Sequence, residues 1–169
     1  MAVVESAEAG FRATDRGATI LQLRSPNLVT GAFEREASRL VATVAKPVIV
    51  SSRCDVAIAS RAAGVNLPER DIPTRDARAL LGDRLVGRSV HSLEAAIDAE
   101  RDGANYVIFG PIWPSPSHPD VEPVGVAALA QVSAALHIPV LAIGGVTEGR
   151  IADCIAAGAA GYAGVSMFK

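Results

Sequence analysis

Val140-Leu-Ala-Ile-Gly-Gly-Val146 is a short apolar run that stops abruptly at a pair of glycines. One strand–helix unit further on comes a second apolar run, Gly161 to Met167, which passes through Val165-Ser166 near its end. Read as neighbouring parallel strands, the first ends in residues without side chains and the second in a hydroxyl. Backbone N–H groups from both would then line one socket. In (β/α) barrels a phosphate commonly sits after the last two strands, where such N–H groups converge. The stretch therefore predicts a barrel and, as its ligand, a small phosphorylated molecule.

Outward from this pair the chain alternates throughout. The apolar periodicity predicts a helix over Met1–Arg16, a strand over Thr19–Arg24 and a helix over Phe33–Val44. Strand Pro47–Ser51, a short helical piece Val56–Arg61 and strand Gly64–Leu67 follow, then helix Thr74–Leu81 and strand Leu85–Ser89. Helix Leu93–Asp102, strand Tyr106–Phe109, helix Val124–Ala135, strand Val140–Ile143, helix Glu148–Ala157 and strand Gly161–Met167 complete the series. Several helix-to-strand joints repeat one phrase, as in Arg16-Gly-Ala, Asp102-Gly-Ala and Ala157-Gly-Ala, with glycine placed to cap the helix end. Repeated units of this kind imply a parallel sheet with right-handed crossovers. No linker interrupts residues 1–169, so one domain is expected. A closed barrel has about eight strands, and this reading finds one fewer. The first strand and last helix are expected to be missing, which leaves a one-sector gap. Two free parallel edges beside it would favour a homo-oligomer.

Composition narrows the function. Half of the 169 residues are hydrophobic (50%), 20% are charged and the formal net charge is −2. That balance offers no basic footprint for nucleic acid, and no apolar run reaches the length of a membrane span. The opening Met-Ala-Val-Val-Glu lacks the basic head and long apolar core of a secretion signal, so a cytoplasmic location is expected. The two cysteines, Cys54 and Cys154, stand apart in apolar surroundings and read as buried small hydrophobes.

In a barrel, chemistry collects just beyond each strand. Those positions carry Gln22, Arg24, Ser51, Ser52, Arg53, Asn66, Asp71, Arg88, Ser89 and His91, then Gly110 to His118, Gly144-Gly145 and Ser166. Hydroxyls, arginines and histidines together suit an anionic ligand. His91 can shuttle a proton near neutral pH; alternatively it caps a helix start through a backbone carbonyl. Arg24 and Arg88 offer guanidinium forks to phosphate or carboxylate, or else pair with Asp71 or Asp55. Ser115 and Ser117 present hydroxyls from a proline-stiffened loop, and His118 reads equally as ligand contact or solvated residue. Asp71 is the sole obvious cleft carboxylate, so a protein-built metal site is not expected. Gly144-Gly145 is no dinucleotide fingerprint.

Together, Gln22-Leu-Arg24, Gly87-Arg-Ser-Val-His-Ser92, Phe109-Gly-Pro-Ile-Trp-Pro-Ser-Pro-Ser117, Ala142-Ile-Gly-Gly145 and Val165-Ser166 resemble the thiamine phosphate synthase and thiazole tautomerase superfamily. The resemblance runs from about Arg16 to Phe168 and implies a (β/α)₈ barrel acting on a thiazole phosphate. Its synthase branch joins hydroxymethylpyrimidine diphosphate to thiazole phosphate and releases pyrophosphate with Mg²⁺. Its tautomerase branch isomerises a thiazole carboxylate phosphate without metal. Where synthases of this resemblance carry an Asn-Asp pair this chain has Ser51-Ser52, and it has His118 and Pro26 in place of lysines; only Asp71 matches a magnesium carboxylate. On that ground the tautomerase branch is favoured, with His91 as proton shuttle and Arg88 holding the substrate carboxylate. Gly144, Gly145, Val165 and Ser166 would bind phosphate, aided by Gln22, Arg24, Ser89, Ser115 and Ser117. No cofactor is expected, or Mg²⁺ at Asp71 in the synthase alternative. A non-catalytic thiazole-phosphate binder, and by fold analogy alone a phosphosugar isomerase, are the remaining alternatives.

Overall fold

The computed structural model describes residues 1–115 and 120–168. Among them the sheet has eight parallel strands in sequence order: β1 (Ala2–Val4), β2 (Leu21–Leu23), β3 (Val48–Ser51), β4 (Gly64–Leu67), β5 (Leu85–Val90), β6 (Tyr106–Phe109), β7 (Val140–Ala142) and β8 (Gly161–Tyr162). Helices α1 (Ala7–Asp15), α2 (Thr30–Thr43), α3 (Cys54–Ala59), α4 (Thr74–Leu81), α5 (Leu93–Arg101), α6 (Gly125–Ala135) and α7 (Ile151–Ala156) alternate with them. A 3₁₀ turn, Glu148–Arg150, leads into α7, and another, Ser166–Phe168, follows β8.

The ring closes. Val3 N–H donates to the Gly164 carbonyl at 2.9 Å, and Gly164 N–H to the Met1 carbonyl at 3.1 Å. This corrects the expected loss of the first strand and the single helix over Met1–Arg16. Ala2-Val-Val4 is a β-branched strand with both ends buried. The helix starts only after Ser6, whose hydroxyl accepts from Ala9 N–H at 3.2 Å as an N-cap. Closure also removes the two free edges on which the expected oligomer rested. No described helix is long and apolar enough to cross a membrane.

Strand alternation sorts side chains into two layers. Outward residues such as Leu21, Leu23, Val48, Val50, Val65 and Leu67 pack under the helices. A similar cluster around Val107, Phe109, Val140 and Ala142 lies under α5 to α7. Inward residues form a separate cluster of Met1, Ile49, Tyr106, Ile108 and Ala163, with Ile20, Leu85, Leu141 and Ile143 against it. Gly87 belongs to this inner face: a Cβ there would lie 2.1 Å from the Tyr106 ring, so the missing side chain is what admits the tyrosine. The barrel is therefore a filled core, open to chemistry only above its apolar plug.

Candidate active site

Two residues above the inner plug on each strand, alternation brings the next inward side chains to the barrel mouth. These are Gln22 after Ile20, Ser51 after Ile49, Asn66 after Gly64 and Ser89 after Gly87. They pair across strands. Gln22 Nε2 donates to Ser51 Oγ at 2.8 Å, and Asn66 Nδ2 donates to Ser89 Oγ at 3.0 Å. Gln22 and Asn66 are only 5% and 2% exposed. Each amide has spent an N–H on a hydroxyl, and their carbonyl oxygens, Gln22 Oε1 and Asn66 Oδ1, have no partner among the described residues. Burying a carbonyl without a donor costs on the order of 1–3 kcal/mol. Two such acceptors in one layer are a site prepared for a ligand that brings N–H or O–H groups.

The second part of the site is the corner after β7. Gly144 and Gly145 have φ of +89° and +64°, a region that favours glycine. Their Cβ directions are already occupied: a Cβ on Gly144 would lie 2.4 Å from Pro111 Cβ, and one on Gly145 2.6 Å from the Pro114 carbonyl oxygen. The glycines thus let the loop after β6 press against the loop after β7. Trp113 N–H donates to the Gly144 carbonyl at 3.1 Å and Ile112 N–H to the Ile143 carbonyl at 2.8 Å. Both glycine carbonyls are held, since Arg150 Nη1 donates to that of Gly145 at 2.7 Å. Among the described residues, the N–H groups of Gly145, Val146 and Val165 make no hydrogen bond. Main-chain donors therefore remain for an oxyanion, as the glycine pair predicts, although the space beside the glycines is filled by protein. Ser166 opens the turn after β8 and lines, with Val146, Thr147 and Tyr162, a groove of about 490 Å³ on the outer side of this corner.

The other predicted residues divide. Ser89 joins the inner layer, whereas its neighbour Arg88 faces the opposite way. The Arg88 side chain lies in a cleft of about 300 Å³ beside α4 and α5, with Asp71, Asp98 and Asp102. There its guanidinium donates to the backbone carbonyls of Ile72 and Glu69, each at 2.6 Å, and more weakly to that of Asp71 at 3.4 Å. Burial lowers its pKa, and the nearby Asp71, Glu69 and Asp102 counter that. Holding a substrate carboxylate in the mouth is therefore not a role this placement allows Arg88. Its β5 parity matches Val86 and Val90, the buried outer face. His91 stands at the rim, its Nδ1 paired with the Glu69 carboxylate, and half of its side chain is exposed. Arg53 is turned to Asp55 and Thr30. Arg24 sits just beyond β2, anchored by its N–H to the Val4 carbonyl at 2.8 Å. Ser115 follows Pro114 in the loop after β6, while Ser117 and His118 lie outside the described residues. Sequence reasoning missed Glu69 and Arg150, because both lie in segments beyond the strand ends it searched.

The magnesium implied for a synthase can be tested against these groups. Among the described residues no three His, Cys, Asp or Glu side chains come together as a metal site. One Asp71 oxygen accepts the Ile72 N–H at 2.7 Å, and the residue lines the outer cleft. The Ser51 hydroxyl is taken by Gln22. These residues do not fit a protein-built magnesium cage, which would need an octahedron of oxygen ligands.

A closed (β/α) barrel with a polar mouth and a main-chain oxyanion corner defines a class of phosphoester-handling enzymes. Within that class, a family model described as thiamine monophosphate synthase matches residues 3–168. The chain is 39% identical over 169 residues to a thiamine-phosphate synthase of Chloroflexus aurantiacus, covering 98% of this chain and 76% of that one. A thiamine-phosphate synthase of Shouchella clausii is 40% identical over 148 residues, 85% of this chain and 71% of the relative. Among solved structures, a thiamine phosphate pyrophosphorylase from Pyrococcus furiosus superposes with a TM-score of 0.90 at 30% identity, covering 99% of this chain and 87% of that one. The chain belongs to the thiamine monophosphate synthase family, a family of thiamine-biosynthetic enzymes. These relatives overturn the tautomerase expectation: they are named as synthases, and the Arg88 on which the tautomerase assignment leaned is bound to backbone outside the mouth.

Proposed function

We propose that the chain is a thiamine-phosphate synthase, coupling hydroxymethylpyrimidine diphosphate to a thiazole phosphate. The observation that carries this is the pair of unpartnered, buried acceptors Gln22 Oε1 and Asn66 Oδ1 at the mouth. An amino-substituted pyrimidine supplies the N–H donors that they lack, and a thiazole phosphate supplies the oxyanion for the free N–H groups of Gly145, Val146 and Val165. The two reactants would then lie side by side over the barrel. Such positioning lowers the barrier by converting a two-body encounter into a step within one complex.

In that step the thiazole nitrogen gives its lone pair to the methylene carbon of the pyrimidine. A C–N bond forms as the C–O bond to the diphosphate breaks, and the diphosphate leaves with the bonding pair. The nitrogen becomes cationic and no proton moves, so His91 needs no acid–base role. Gln22 and Asn66 orient the pyrimidine, and the inner apolar plug keeps water from its lower face. Arg24, at the rim beyond β2, is the side chain offered to the departing anion. The residues do not fit a metal cage, so no step here runs through an ion.

The test is direct. Purified protein given both substrates should form thiamine phosphate and pyrophosphate in equal amounts, and Gln22→Ala should lower that rate. Absence of pyrophosphate release, at any magnesium concentration, would reject the reading.

A further inference from the structure

Arg150 is absent from every strand end and from the polar layer, yet it is the side chain tied most closely to the oxyanion corner. It sits at the end of the 3₁₀ turn before α7, half-buried. Its Nη1 donates to the Gly145 carbonyl at 2.7 Å, and its guanidinium carbon lies 4.9 Å from the centre of the Trp113 ring. One side chain thus grips both loops that build the corner. A flat guanidinium can do this, because one edge donates while its face stacks on an aromatic ring.

The consequence follows from peptide geometry. In a trans peptide the C=O and the next N–H point in opposite directions. Fixing the Gly145 carbonyl toward Arg150 aims the Val146 N–H away from it. In the same way the bond from Trp113 N–H to the Gly144 carbonyl aims the Gly145 N–H. With φ of +89° and +64° these two glycines have wide conformational freedom, and peptides on either side of a glycine can turn over at low cost. We infer that Arg150 is a positioning residue: it locks the Gly145–Val146 peptide and the Trp113 loop so that the corner's N–H groups converge on phosphate. The inference rests on the reading of that corner as the phosphate subsite.

Trp113 is the chain's single tryptophan, so its fluorescence reports on this contact alone. Inorganic phosphate should shift wild-type emission along a saturable curve. Arg150→Met should weaken phosphate about tenfold, the scale of a lost charge-assisted hydrogen bond, and raise KM for thiazole phosphate similarly, with kcat within about twofold. Arg150→Lys, which keeps a donor, should recover most of the affinity. The ionic-strength dependence of phosphate binding should be the same in wild type and Arg150→Met, because the guanidinium does not touch the ligand. Equal phosphate affinity in wild type and both variants overturns the positioning role and leaves the phosphate subsite standing. A shallower salt dependence in Arg150→Met overturns it too, in favour of direct contact. If wild-type protein shows no saturable response to phosphate or to thiazole phosphate, the subsite reading fails and the inference falls with it. Should Arg150→Met not fold, Arg150→Gln and the lysine variant carry the same comparison.

Discussion

At the corner after β7 the groups available to a ligand are main-chain N–H groups, held in place by Pro111, Trp113, Pro114 and Arg150. Across the mouth on β2 to β5 they are side chains: two amides leaning on two serines. A main-chain subsite presents donors only and suits an anion whatever its carbon skeleton. A side-chain subsite with unpartnered carbonyls demands donors at fixed positions, so it can reject a close analogue that lacks them. The corner therefore supplies the grip on phosphate, and the mouth supplies the choice of heterocycle.

The largest test of this division is Gly144→Ala. The new Cβ would meet Pro111 at 2.4 Å, at a φ of +89° that L-residues avoid. Left-handed strain of about 1–2 kcal/mol and overpacking of about 1–3 kcal/mol should both appear. Urea unfolding is expected to register their sum, together with lost phosphate binding. A loss below about 1 kcal/mol would mean that the two loops are not packed as described.

Gln22→Ala should act on the other half alone. Removing one acceptor is expected to lower kcat/KM for the pyrimidine diphosphate by about tenfold, near 1.4 kcal/mol. Phosphate affinity at the corner should not move. A parallel fall in both would erase the distinction between the subsites.

Arg88→Met and Ser89→Ala sharpen the comparison within one dipeptide. Arg88 braces the segment between β4 and α4 through three carbonyls. Its loss should cost about 1–2 kcal/mol of stability with kcat/KM within about threefold, whereas Ser89→Ala should reduce turnover with little loss of stability. Reversed effects would place Arg88 in the mouth after all.

This dipeptide also marks where the sequence stops being legible. Strand–helix alternation exposed the barrel, and Ala142-Ile-Gly-Gly145 pointed to the corner, because few needs other than close approach and positive φ require paired glycines. Gly87-Arg-Ser-Val-His carries no clean apolar alternation, so which of Arg88 and Ser89 faces inward depends on Tyr106, a neighbour on the next strand that fills the space over Gly87. The first strand was hidden for another reason. Val3 and Val4 fit a helical face as well as a strand, and only the Ser6 cap separates the two. Arg150 gave no signal, since its partners Trp113 and Gly145 meet only in the folded ring. The relatives' synthase names corrected the branch that the losses at Ser51, Ser52 and Pro26 had favoured, so those substitutions do not by themselves mark a tautomerase.

The smallest expected effect concerns the two thiols behind the two subsites: Cys54 opens α3 above β3, and Cys154 lies within α7 behind the corner. Both are buried, and desolvation raises both pKa values, helped by Asp71 and Asp55 for Cys54 and by Asp153 for Cys154. A thiol whose folded pKa exceeds its unfolded value contributes stability that is fully present below the unfolded pKa, about 8.5. That contribution is lost as pH rises through the folded value, because the unfolded chain ionises first. Unfolding free energy should therefore decline between about pH 8 and 10, and replacing both cysteines by alanine should flatten that decline. Each thiol can contribute only a fraction of the ~1.4 kcal/mol carried by one pKa unit. If only Cys54→Ala flattens the slope, the mouth side ionises within a more closed packing than the corner side, and the two regions differ in rigidity as well as in chemistry. An unchanged slope in both variants would mean that neither thiol is shielded from water as its burial implies.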